Sequence, residues 1–119
     1  MMRNPNAPHI NFKDLNGLMG KIVPSNVDMV IERNGYFLIG EWKRENERIS
    51  MGQNILLRQL AKLDTKFIVL IIQGHSDDDV LVVDKFWRMT SDGELTELGE
   101  GIDKFKEFLV FWKKGVEQL

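Results

Sequence analysis

Residues 27–45 read VDMVIERNGYFLIGEWKRE, two apolar runs that meet at Asn34-Gly35. Asn-Gly between alternating apolar segments is the strongest short-range hairpin signal, because a two-residue type I′ loop needs positive φ at both central positions. Such a loop pairs Arg33 with Tyr36, and stepping outward pair by pair sets Asp28 directly opposite Glu41. Side chains alternate faces along a strand, so Asp28, Val30 and Glu32 share one face with Phe37, Ile39, Glu41 and Lys43. Met29, Ile31, Leu38 and Trp42 share the other. Two acids and a lysine therefore point the same way from strands that otherwise read as core.

Directly opposed residues have Cβ atoms about 4.5–5.5 Å apart, and like charges at that distance destabilise a sheet unless something lies between them. A divalent cation fits that place. Two carboxylates can share one hard ion whose remaining positions are filled by water and a phosphate oxygen, as magnesium prefers. A lysine beside the ion can orient a water or stabilise charge developing on phosphorus. The plain alternative is a solvated strand rim whose charges block edge-to-edge pairing.

The rest of the chain frames this hairpin. With 119 residues, 43% hydrophobic and 29% charged, it has the composition of a single domain, 1–119, without repeats, low-complexity tracts or a dividing linker. A net charge of −2 argues against a protein that coats nucleic acid by bulk positive charge, and leaves room for a local basic patch. There is no cysteine, which excludes disulfides, thiolate metal sites and a cysteine nucleophile. No stretch approaches the roughly 18 consecutive apolar residues of a membrane span, and MMRNPNAPHINF lacks an apolar signal core, so the expectation is a cytoplasmic protein without a membrane partner.

The spacing of apolar residues predicts the flanking elements. Asn11 is placed to cap a short helix with Phe12, Leu15 and Met19 on one face, ending near Gly20 before Pro24. A second helix is expected from Ser50 to about Leu63, with Ile49, Leu56, Leu60 and Leu63 along one stripe. KFIVLIIQG is a continuous apolar run rich in β-branched residues, which suits a strand buried on both faces at the centre of the sheet. VLVVDKFWRMT reads as one more strand, followed by a turn at Ser91-Asp92-Gly93. Ile102 to about Gln118 reads as an amphipathic helix with Ile102, Phe105, Leu109, Trp112 and Val116 inward. The predicted order is helix, hairpin, helix, strand, strand, helix.

At Asp28 and Glu41-Trp42-Lys43 the sequence resembles the PD-(D/E)XK nuclease superfamily, whose pattern is an Asp on one strand and an acid-x-Lys triplet on the next. The resemblance covers about residues 11–73. Pro24 stands four positions before Asp28, where the family name puts proline next door. The resemblance implies an α/β fold with a central mixed sheet, flanking helices and a restriction-endonuclease-like α-β-β-α-β core. It implies that Asp28, Glu41 and the main-chain carbonyl of Trp42 hold Mg2+, with Mn2+ as a substitute, and that Lys43 assists the attacking water. A glutamine of the following helix often reaches the site in this family, which points to Gln53. Ser50-Met51-Gly52-Gln53 equally fits a capping box. Asp14 is the candidate for a third acid, and it equally reads as an acid favoured at a helix start.

Other features are plainer. His9 and His75 lack metal-ligand spacing, and Asp77-Asp78-Asp79 reads as a solvated turn. Lys43, Arg44, Arg48, Arg58 and Lys62 are a basic strip that could hold phosphates, or ordinary surface charge. Trp87, Phe108, Phe111 and Trp112 are core or part of a dimer interface. The expectation is a magnesium-dependent endonuclease acting on duplex or branched DNA as a homodimer. The alternative is a catalytically silent nuclease-fold module that binds DNA or protein.

Overall fold

A computed structural model describes residues 12–22, 24 and 27–119. The hairpin forms as β1 (Met29–Arg33) and β2 (Tyr36–Lys43), antiparallel, with Arg33 opposite Tyr36 and Met29 opposite Gly40. Asn34 and Gly35 have φ of 54° and 79°, the left-handed pair that a type I′ turn requires. A crossover through α1 (Met51–Leu63) returns the chain to β3 (Phe67–Asp77), which lies parallel to β2. Asp78 and Asp79, both at positive φ, turn the chain into the antiparallel β4 (Val80–Met89). β5 (Leu95–Glu100) pairs antiparallel with β4 and runs directly into α2 (Gly101–Glu117). The result is an α/β architecture with a five-stranded mixed sheet in the order β1-β2-β3-β4-β5 and β3 at its centre.

Each face of the sheet has its own core. Leu38, Leu70, Ile72, Val83 and Phe86 pack with Phe105, Trp112 and Val116 of α2, and Met29, Ile31 and Trp42 join this side. Ile39, Val69, Ile71 and Met89 pack with Leu57 of α1, joined by Phe37 and Trp87. Strict alternation along β2 and β3 sends successive residues to opposite faces, and four consecutive buried residues in β3, Val69 to Ile72, follow from its central place. Each such side chain contributes roughly 1.5–3 kcal/mol by leaving water. α2 reaches back to the edge strand, where Arg33 pairs with Glu117 at 2.8 Å.

Three expectations are corrected. The predicted first helix is a single 3-10 turn, Lys13–Leu15; its expected cap Asn11 lies outside the described residues. Gly17 and Gly20, with φ of 85° and 67°, break helical geometry within one turn, and Met19 bridges to Ile22 instead, leaving Met19 51% exposed. The inward stripe of α1 is rotated: Leu57 is fully buried with Leu60 and Ala61 beside it, whereas Leu63 is 68% exposed. Strand β5 was not expected. LTELGE holds only two apolar residues and lies at the sheet edge, where Lys85 pairs with Glu97 and Glu100 across the ladder.

Candidate functional site

The hairpin register carries the site. Continuing from Met29 opposite Gly40, Asp28 stands against the β2 segment Glu41-Trp42, and its Oδ2 accepts a hydrogen bond from the Trp42 amide at 3.0 Å. That bond fixes the Asp28 carboxylate to the main chain of the partner strand just where regular pairing ends. The Trp42 side chain goes to the other face, where its ring meets Phe105 edge-on at 5.8 Å and covers Gly74. Packing on the α2 side therefore anchors the stretch of β2 that displays Glu41 and Lys43 on the α1 side.

Ser50 caps α1, its hydroxyl accepting from the Gln53 amide at 3.2 Å, so the main-chain half of the expected capping box is present. The rotated stripe places Gln53 one helical turn before Leu57, on the side facing the sheet. Its Nε2 donates to Glu41 Oε2 at 2.7 Å. A capping role and a role beside Glu41 thus coexist in one residue, the main chain serving the first and the side chain the second.

Glu41 is half-buried, and its carboxyl is raised from 4.5 to about 7. Burial is the largest cause, since desolvation disfavours the charged form; the neighbouring Asp28 charge adds to it, while the Gln53 hydrogen bond and the Asp28 amide oppose it. Burial of the carboxyl next to a second acid, with no full countercharge in contact, accounts for the shift. Lys43 does not supply that charge: among the described residues no ion pair within 4 Å joins it to Asp28 or Glu41. Its Nζ instead donates to Gln73 Oε1 at 3.3 Å and stands over the Trp87 ring at 5.6 Å.

Asp28, Glu41, Trp42, Lys43 and Gln53 all line one cleft of about 450 Å³, whose outer wall is the loop Glu47-Arg48-Ile49-Ser50. That loop is folded by an Arg44–Glu47 turn, with the Glu47 side chain accepting from the Arg44 amide at 3.3 Å and Asn46 at positive φ. The donor set toward an ion is two carboxyl groups, all oxygen, and among the described residues no Lys or Arg forms an ion pair with either, although Lys43 and Arg48 line the same cleft. That donor set suits magnesium, which is held by one or two carboxylates with water and phosphate oxygens completing its shell. Asp14 does not add a third acid: among the described residues no three His, Cys, Asp or Glu side chains form a group that could hold an ion. Of the basic strip, Arg48 borders the cleft, Arg58 turns away to lie over Gly93 of the β4–β5 turn, and Lys62 lines a separate depression with Arg88.

Sequence reasoning gave no role to Gln73 or Asp84 and read Trp87 as core or dimer interface; Gln73 and Trp87 contact Lys43, and Asp84 contacts Gln73. The one available signal was Gln73, a polar residue closing the apolar run of β3. Comparison of the chain with protein-family models, curated proteins and solved structures gives no match. No helix among the described residues is long and apolar enough to cross a membrane.

Proposed function

We propose that this chain is a magnesium-dependent endonuclease of the PD-(D/E)XK kind that hydrolyses DNA phosphodiester bonds. The observation that carries the reading is the convergence, in one cleft, of Asp28 and Glu41 with Gln53 on Glu41 and Lys43 beside them. The run β1-β2-α1-β3, with β2 parallel to β3, supports a restriction-endonuclease-like core, although a 3-10 turn stands where that core has its leading helix.

In this reading Asp28, Glu41 and the Trp42 carbonyl hold the ion. Mg2+ there would supply Lewis-acid activation of a water and neutralise charge on the phosphate. Gln53 fixes the rotation of the Glu41 carboxylate, and the Asp28 bond to the Trp42 amide fixes the second acid, so both oxygen donors are arranged before substrate arrives. Lys43 extends its ammonium along the cleft to hold the attacking water or a non-bridging phosphate oxygen. Arg48 at the rim adds positive charge toward the neighbouring phosphates.

A duplex break requires two cuts and the described residues form one such cleft, so we propose that a second copy completes the enzyme. Val110 and Phe111 of α2 are 52% and 76% exposed and lie side by side. An antiparallel pairing of α2 about a two-fold axis at these residues sets Glu107 of each copy against Lys114 of the other, which makes the face self-complementary in charge as well as apolar at its centre.

Supercoiled plasmid and branched DNA incubated with Mg2+, with Mn2+ and with chelator test the function. Cleavage that needs the metal and disappears in Asp28→Asn and Glu41→Gln is the expected result. DNA binding with no cleavage under any of these conditions would leave the silent module instead.

A further inference from the structure

The surroundings of Lys43 point beyond the acid-x-Lys triplet. Lys43 of β2 and Gln73 of β3 are ladder partners on the α1 face, and Lys43 Nζ donates to Gln73 Oε1 at 3.3 Å. The Gln73 carboxamide in turn donates from Nε2 to Asp84 Oδ2 at 3.4 Å. Asp84 occupies that place because β4 bulges there: Gln73 opposes Lys85 and Gly74 opposes Val83, which leaves Asp84 between them without a ladder partner. The bulge also requires Gly74, since a Cβ at that position would lie 2.2 Å from the Val82 carbonyl.

The chemistry of the three groups fixes their order. An ionised aspartate only accepts hydrogen bonds, an ammonium only donates, and a primary carboxamide has one end of each kind. Asp84 therefore selects the rotation of Gln73 that turns Nε2 toward itself, and that rotation presents Oε1 to Lys43. A flipped carboxamide would set an NH2 group against the ammonium and the carbonyl oxygen against the carboxylate, losing both bonds. Trp87, on the same face, supplies a second fixed surface for the ammonium.

We propose that Gln73, oriented by Asp84, is a positioning residue that sets where the Lys43 ammonium stands in the cleft. It keeps the lysine on the β3–β4 side and out of an ion pair with Glu41 and Asp28, so the carboxylates stay available to the cation and the ammonium to water or phosphate. Its meaning for catalysis rests on the nuclease reading; the positioning itself does not.

Two measurements separate these. The first is a 13C-methyl NMR spectrum of the reductively methylated protein, with the Lys43 resonance assigned through Lys43→Arg. Gln73→Met and Asp84→Ala, which removes the acceptor, should each move that resonance toward the position of a solvent-exposed lysine and leave other lysines in place. A Lys43 resonance unmoved by both variants overturns the proposal, and one moved by Gln73→Met alone removes Asp84 from it. The second is single-turnover cleavage of DNA with saturating Mg2+. Gln73→Met and Asp84→Ala should each slow the chemical step about 10- to 100-fold, the scale of a misplaced catalytic group. In a Lys43→Ala background the same substitutions should have no further effect. An equal loss in that background would mean that Gln73 acts on the fold and not through Lys43. If the parent protein cuts no DNA, the nuclease reading fails while the NMR result still decides the positioning.

Discussion

The raised carboxyl of Glu41 makes the metal-free protein less stable as pH increases, and Glu41→Gln should abolish that loss. In the unfolded chain Glu41 titrates as an ordinary glutamate, near 4.5; in the folded protein it titrates at about 7. Between these values the folded state holds a proton that the unfolded state has released, so stability is full below 4.5, falls across the window and stays low above 7. At about 1.4 kcal/mol per pH unit the separation corresponds to about 3 kcal/mol, which screening in a cleft open to solvent reduces to about 1–2 kcal/mol. Urea unfolding in chelator at pH 5 and pH 8, for parent and variant, measures it. Expressed as a difference between the two proteins, the contributions of titrating groups that do not interact with Glu41 cancel. The variant should lie close to the parent at pH 5 and exceed it at pH 8 by about 0.5–2 M in midpoint, for an m-value of about 1–2 kcal/mol/M. If the two proteins differ by the same amount at both pH values, Glu41 carries no raised carboxyl, and the account of a buried carboxyl beside a second acid is wrong.

Four further outcomes are expected. Asp28→Asn should lose most of the parent's Mn2+ affinity by calorimetry while remaining folded, since its amide can still accept from the Trp42 N–H. Leu57→Ala should cost about 2–5 kcal/mol in urea unfolding, because Leu57 is fully buried at the centre of the α1 face. Gly74→Ala should cost about 1–3 kcal/mol, from the clash with the Val82 carbonyl and the Trp42 ring, and its cleavage rate should fall as the bulge and Asp84 shift. Phe111→Asp should give a monomer by sedimentation at concentrations where the parent is a dimer, without changing secondary structure; a monomeric parent, alone and with DNA, would leave nicking or single-strand cleavage as the enzymatic possibilities.

The parts of this structure that could be read from the sequence are those fixed by short-range rules. Asn34-Gly35 determines a turn, the turn determines a register, and the register brings Asp28 to the end of β2 beside Glu41 and Lys43. The central strand was equally legible, since only burial on both faces permits the run Val69 to Ile72. What the sequence concealed depends on distant partners. The stripe of α1 could not be phased from spacing alone, because Leu56 and Leu57 are adjacent and equally apolar; the sheet buries Leu57, and that choice turns Gln53 toward Glu41. β5 was hidden because an edge strand ending in charged pairs to Lys85 needs little apolar content. Asp84 was least legible, because its place depends on where β4 bulges against β3, and nothing in VLVVDKFWRMT marks that position. The strand motif thus supplies the charged groups of the cleft from local rules, while their orientation comes from Gln53, Gln73 and Asp84 on three other elements. The same division accounts for the lysine: the spacing of Glu41 and Lys43 puts both on one face, and only the neighbouring strands decide that they stand apart.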